Sequence, residues 1–313
     1  SALHDFGTLS IAGFDYAVRN AASTGSHQYT WLQAAQQPAY DFAVNLPGAS
    51  ASTVQGWDGA GATQDFSVGI GQLAGGGTQA MSIASAISQS GNGARIMIGA
   101  GSYNETVSLG SRRNLSFADA TVQGLVLQVG AADSGIGGQV TATGAGGIRA
   151  EAALQLLADT RLATTGADIQ LDGHISNGAG GAYSLSLVAG ADSNRGNVSM
   201  RSGGTQSSPL DQFDVRANRY SLSDTLWVQR YQIHALGRVS LSDHTLRAQD
   251  AAANNTLTTS GDVTGSTIIL GNVAVQSSGD VTANVSAGGD ATVAGNNITG
   301  TISGADVAVT AQG

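Results

Sequence analysis

The sequence predicts an all-β protein, a right-handed parallel β-helix (β-solenoid) with one short helix near residues 80–90, and three observations predict it. Apolar residues make up 41% of the chain, mostly Ala, Val, Leu and Ile, while aromatics are held to 5%. Gly is abundant at 45 residues and Pro is scarce at 3. Short runs of β-branched residues recur between Gly-rich breaks, the pattern of many short strands joined by tight turns. A disordered Gly-rich linker would lack those recurring Val, Ile and Leu. The length of 313 residues is no obstacle, because a repeat architecture grows by adding coils.

Taken in order, residues 1–78 hold β-like runs at 9–11, 14–18 and 40–44 and much of the aromatic content, including Trp31 and Trp57. They read as aromatic-richer, decorated N-terminal coils, with 47–65 as a Gly-, Ala- and Ser-rich loop. Residues 79–313 read as regular coils, so that 1–313 is one continuous solenoid segment of a larger protein. Met81, Ile83, Ala84 and Ile87 are spaced for one short helix, which Gly91-Asn92-Gly93 ends. Strands are expected at 95–98, 103–109, 115–117 and 122–129. Residues 150–162 favour helix by propensity, but Leu154, Leu156 and Leu162 alternate at even spacing and read as strand.

The clearest signal lies after Leu257. Gly261-Asp262, Gly271-Asn272, Gly279-Asp280 and Gly289-Asp290 punctuate runs in which Val263, Val273, Val281 and Val293 alternate with small polar residues. Alternation gives each strand one buried and one wet face, and Gly and Asn suit the corners between strands. One coil then takes roughly 20–25 residues and advances about 4.8 Å, giving on the order of 13 coils. Both ends of the chain read as cuts from something longer, and the C-terminal coil is expected to fray or to stack on a neighbour.

Charge narrows the partners. Charged residues are only 11%, all thirteen basic residues are Arg, and the net charge is −9. That balance argues against nucleic acid or an anionic membrane, which need clustered cations. There is no Cys, which excludes disulfides and thiolate chemistry. No apolar run is long enough to span a membrane.

Two patches resemble known families. Residues 79–127, with Ile96, Ile98, Gly101, Tyr103, Glu105 and Val107 followed by Asn114-Leu115-Ser116-Phe117, resemble the opening coil of pectin-lyase-type right-handed β-helices. Residues 208–250 resemble a repeat of filamentous-haemagglutinin-like exoproteins, through Pro209-Leu210, Val215, Leu222, Val228, Tyr231, Val239, Leu241 and Leu246. Gln232 follows Tyr231 here, whereas the repeat has Gln before Tyr. The second resemblance implies a two-partner-secretion exoprotein of a Gram-negative bacterium, exported through an outer-membrane pore to the cell surface or medium, with a role in adhesion and biofilm. The family's Asn-Pro-Asn-Gly-type secretion segment is absent from these residues.

Catalytic chemistry is hard to assemble. A glycoside hydrolase needs two placed carboxylates, and Asp211 and Asp214 lie three apart, off one strand face. Asp172-Gly173-His174 offers a base beside a carboxylate, but reads more readily as a turn Asp next to an exposed His. No calcium-turn ladder, phosphate loop or His cluster appears, so neither metal nor cofactor is expected. Asn-x-Ser/Thr sites at Asn104, Asn114, Asn197, Asn254, Asn284 and Asn297 leave glycosylation open.

The densest aromatic and Arg cluster is Trp227, Arg230, Tyr231, His234 and Arg238. Aromatic faces stack on sugar rings and Arg binds acidic groups, so these five are the expected polysaccharide contact; the bland reading is that the rings are core or corner packing. By alternation Trp227, Gln229 and Tyr231 would share one face and Val228 and Arg230 the other, unless a corner intervenes. The expected function is a non-enzymatic structural and adhesive segment of a surface adhesin. The alternatives are a polysaccharide lyase or esterase on the same fold, and the stalk of a contact-dependent toxin-delivery protein.

Overall fold

A computed structural model describes residues 83–89, 91–179, 181–191 and 194–312, together with six short strands before residue 67. The chain is an all-β parallel solenoid of about 10 turns with a single short helix, Ile83–Gln89. The number of turns is below the 13 expected because the early strands are arranged differently. Leu9–Ser10, Tyr16–Asn20, Gln28–Gln33, Thr53–Trp57 and Thr63–Phe66 pair in a five-stranded sheet of their own, largely antiparallel. Only Phe42–Val44 lies parallel against the first solenoid strand, Arg95–Ile98. The expected loop at 47–65 contains two of these strands, and the rest of the expected decorated coils lies outside the described residues.

Each coil supplies three strand segments, and each segment stacks in register on its counterpart one coil away. The first face runs from residues 120–122 through 140–142, 160–164, 185–188, 213–217 and 231–235 to 307–311. The second runs from 106–109 through 169–171 and 220–222 to 298–299. The third runs from 95–98 through 154–156 and 226–228 to 302–303. Residues 150–162, ambiguous by propensity, supply the strand Leu154–Thr164: even-spaced Leu buries one face, and tertiary pairing overrides helix preference.

Alternation carries the core. Inward residues such as Leu162, Leu187, Val215, Ile233, Leu257, Val275 and Val293 form one column of the first face, all buried. Val307 and Val309 continue the columns of Ala291 and Val293 and are exposed. Phe213, Tyr220 and Tyr231 pack together mid-rod, with the Phe213 and Tyr220 ring centroids 5.9 Å apart. Buried polar groups are used to tie coils: the Tyr231 N–H donates to Asn255 Oδ1 at 2.9 Å, and Asn255 Nδ2 donates to the Asn272 carbonyl at 3.2 Å.

Corners are set by Gly, Asp and Asn. At Gly138, φ is +82° and an added Cβ would lie 1.8 Å from the Phe117 carbonyl oxygen, so the coil below can approach only because the residue is Gly. At the corner preceding the second face, Asp262 Oδ1 accepts the Asp280 N–H at 3.1 Å, and Asp280 Oδ1 accepts Asn297 Nδ2 at 2.8 Å. The corner preceding the first face repeats the device: Asn272 Nδ2 donates to Asn254 Oδ1, and Asn272 Oδ1 accepts the Asp290 N–H, each at 2.8 Å.

Candidate functional site

The five expected contact residues do not form one patch. The strand Leu226–Ala235 alternates in and out except at Gln229 and Arg230, which both face outward. That corner shifts the parity by one, so Tyr231 turns inward beside Phe213 and is fully buried. Tyr231 therefore cannot stack on a ligand; it is core. Trp227 remains outward on the third face and His234 outward on the first, with Arg230 at the corner between them. Arg230 donates to Asp211 Oδ2 at 3.2 Å and to Gln212 Oε1 at 3.0 Å. Arg238 sits at the next corner and donates to Asp262 Oδ2 at 2.9 Å. That bond, with the Asp280 N–H, holds the exposed Asp262 carboxyl below the ordinary carboxylate range.

Two surface features among the described residues bear on ligand binding. On the third face Trp227 lies in register with Arg247, and Arg247 with Ile268. The Arg247 guanidinium sits 4.9 Å from the centroid of the Trp227 ring. Ile268 and Leu270 are exposed at 39% and 54%, and with Gln206 from the neighbouring loop they border a cleft of about 410 Å³. The Gln206 carbonyl accepts Gln249 Nε2 at 3.1 Å, which fixes the loop beside the cleft. The result is a half-buried indole with a cation over it and aliphatic flanks, in a chain with only three Trp.

On the first face a groove of about 650 Å³ is lined by Arg161, Ser186, Arg195, Asp214, Arg216 and His234, among others. Arg161, Ser186, Asp214 and Gln232 form one column of register partners, and Val188, Arg216 and His234 the column beside it. Arg195 comes from a small antiparallel hairpin, where it pairs with Gly190. Gln212 Nε2 donates to Asp214 Oδ2 at 2.8 Å, and Asp214 is the one carboxylate of this lining. Sequence reasoning found His234 but missed the three arginines. Asp214-x-Arg216 and Gln232-x-His234 do show outward alternation, but their juxtaposition with Arg161 depends on coil lengths that the sequence does not print.

No family model, curated protein or solved structure matches the chain. Its chemistry must be read from its own residues. The Asp172–His174 pair is not assembled: Asp172 accepts Gln170 Nε2 at 2.8 Å, and His174 Nδ1 lies 2.8 Å from Ser202 Oγ on the next coil. Burial lowers the His174 pKa, Asp224 opposes this, and Arg201 adds to it. Asp211 and Asp214 likewise part, Asp211 to the Arg230 corner and Asp214 to the groove. Among the described residues no group of three or more His, Cys, Asp or Glu is placed to hold a metal, and no helix is long and apolar enough to cross a membrane.

Proposed function

We propose that this chain is a structural and adhesive segment of a large secreted bacterial surface adhesin, attaching cells to one another or to a surface through polysaccharide. The observation that carries the reading is the Trp227–Arg247 platform beside its cleft. Most of the outer surface offers Ser, Thr, Asn and Gly, which water solvates as well as a sugar does. An aromatic face adds stacking of roughly 0.5–1.5 kcal/mol per good contact. The solenoid supplies what such a role asks for, a rod on which outward positions repeat about every 4.8 Å along the axis. The resemblance to filamentous-haemagglutinin-like exoproteins supports the surface location and export through an outer-membrane pore.

A glycan array with product analysis tests this. Binding without turnover is expected, and Trp227→Ala should weaken it about tenfold, the loss of roughly one good contact. The melting temperature should change little, since Trp227 is only half-buried. Turnover of any polysaccharide would replace this reading with the lyase or esterase one, and intact binding by the Trp227→Ala variant would remove the platform from it.

A further inference from the structure

We propose that the groove on the first face binds the carboxylate or sulfate groups of an anionic glycan. The inference deepens the polysaccharide reading and rests on it, but it uses a different face and different residues from the Trp227 platform.

The argument is one of charge placement. The molecule is acidic, with 22 Asp and Glu against 13 Arg, so every cation has carboxylates to choose from. Three arginines elsewhere use them: Arg149 pairs with Glu151 at 3.0 Å, Arg230 with Asp211 at 3.2 Å and Arg238 with Asp262 at 2.9 Å, while Arg247 lies over Trp227. In the groove Arg161 and Arg216 share the lining with one carboxylate, Asp214, which accepts from Gln212. Arg161 and Arg216 are exposed and make no ion pair or side-chain hydrogen bond among the described residues; the His234 ring makes none either. Arg216 and His234 are register partners on adjacent coils, so basic groups are stacked directly over one another. An anion lying across the pair would meet a guanidinium and an imidazole N–H together.

The shape selects the class of anion. Arg161, Arg216 and His234 climb the face over successive coils, Arg161 two coils from Arg216 and His234 one coil further, each step about 4.8 Å. A repeating polyanion can meet such a series, while a single small anion can meet only one step of it. Guanidinium forks match carboxylate and sulfate oxygens. The groove lining has no Phe, Tyr or Trp on which a nucleobase could stack.

The test is a titration of the whole chain with polygalacturonate oligosaccharides, dextran sulfate, neutral dextran and a single-stranded DNA oligonucleotide. The variants are Arg161→Gln/Arg216→Gln, the ion-paired control Arg238→Gln, and Trp227→Ala. Anionic glycans should bind more tightly than neutral dextran and lose affinity as salt rises. They should bind the double variant at least tenfold more weakly while Arg238→Gln behaves as the parent does. The better of polygalacturonate and dextran sulfate names the group as carboxylate or sulfate. Both substituted arginines are exposed, so the fold should persist, and circular dichroism checks it. Equal binding of anionic glycans by the parent and the double variant would overturn the inference, as would binding of the oligonucleotide alone. If neutral dextran binds through Trp227 and the anionic glycans bind no better, the groove inference fails and the platform reading stands. If no glycan binds, both fall.

Discussion

Tyr231 shows how far one side chain can be read before its neighbours are placed. Counting by twos from Trp227 puts it outside, and the count fails only because Gln229 and Arg230 occupy a corner together. Its ring fills the interior beside Phe213, while its hydroxyl, like that of Tyr220, finds no partner among the described residues. Burial also pushes both phenols well above their ordinary pKa, so neither ionises in the working range. Two substitutions separate ring from hydroxyl. Tyr231→Ala should cost about 3–5 kcal/mol in denaturant unfolding, as for other large aromatic truncations in a core. Tyr231→Phe should leave stability unchanged or raise it by about 1 kcal/mol, because an unpaired buried hydroxyl is removed. A large loss for Tyr231→Phe would mean that the hydroxyl is hydrogen-bonded after all.

At the scale of strands and corners, the alternation of Val and small polar residues after Leu257 and the Gly-Asp and Gly-Asn breaks were legible, and the strands fall where they say. The helix near residue 80 was legible from four apolar positions. Assembly was not, because what stands beside a residue is set by how many residues each coil holds. Arg247 lies 20 residues from Trp227 in sequence and beside it in space, whereas Arg230, three residues away, turns a corner and leaves the face. The corner stack of Arg238, Asp262, Asp280 and Asn297 is a device of this scale, and it makes a prediction about acid. Asp262 has its pKa lowered by the Arg238 hydrogen bond first and by the Asp280 N–H second. A carboxyl whose folded pKa is depressed stabilises the fold above its ordinary value of 3.8, and the stabilisation is lost as pH falls through the folded value. Asp262→Asn should therefore lower the unfolding midpoint slightly at neutral pH, with the gap to the parent closing below pH 3.8. A gap that stayed constant with pH would show that the charge of Asp262 is not what holds this corner.

Across the whole molecule the coils are unequal. Contacts between adjacent coils join residues 21 apart near residues 114–143, and 28 to 32 apart where His174 meets Ser202 and Asn177 meets Pro209. From Asn254 onward the separation settles to between 16 and 18. The interior changes with it. Leu210, Phe213, Tyr220, Leu222, Leu226 and Tyr231 fill the middle of the rod, whereas Val273, Val275, Val281, Ala283, Ala291 and Val293 fill the later coils. Smaller side chains bury less apolar surface per coil, at roughly 25 cal/mol per Å², while each ordered residue costs about the same conformational entropy. A solenoid is held by nearest-neighbour interfaces, so a thinner interior lowers the stability of the coils that share it and does not weaken distant ones. Native-state amide exchange should then report a gradient. Amides of 213–235 should open only with global unfolding, and those of 273–299 should open together at a lower free energy and a smaller denaturant dependence. Enlarging the later interior locally, for example with Ala283→Val, should raise protection in the adjoining coils or disturb them by overpacking, and leave 213–235 unchanged in either case. Equal protection from residue 213 to residue 299 would show instead that the rod unfolds as one unit, its corner hydrogen bonds making up what the smaller core lacks.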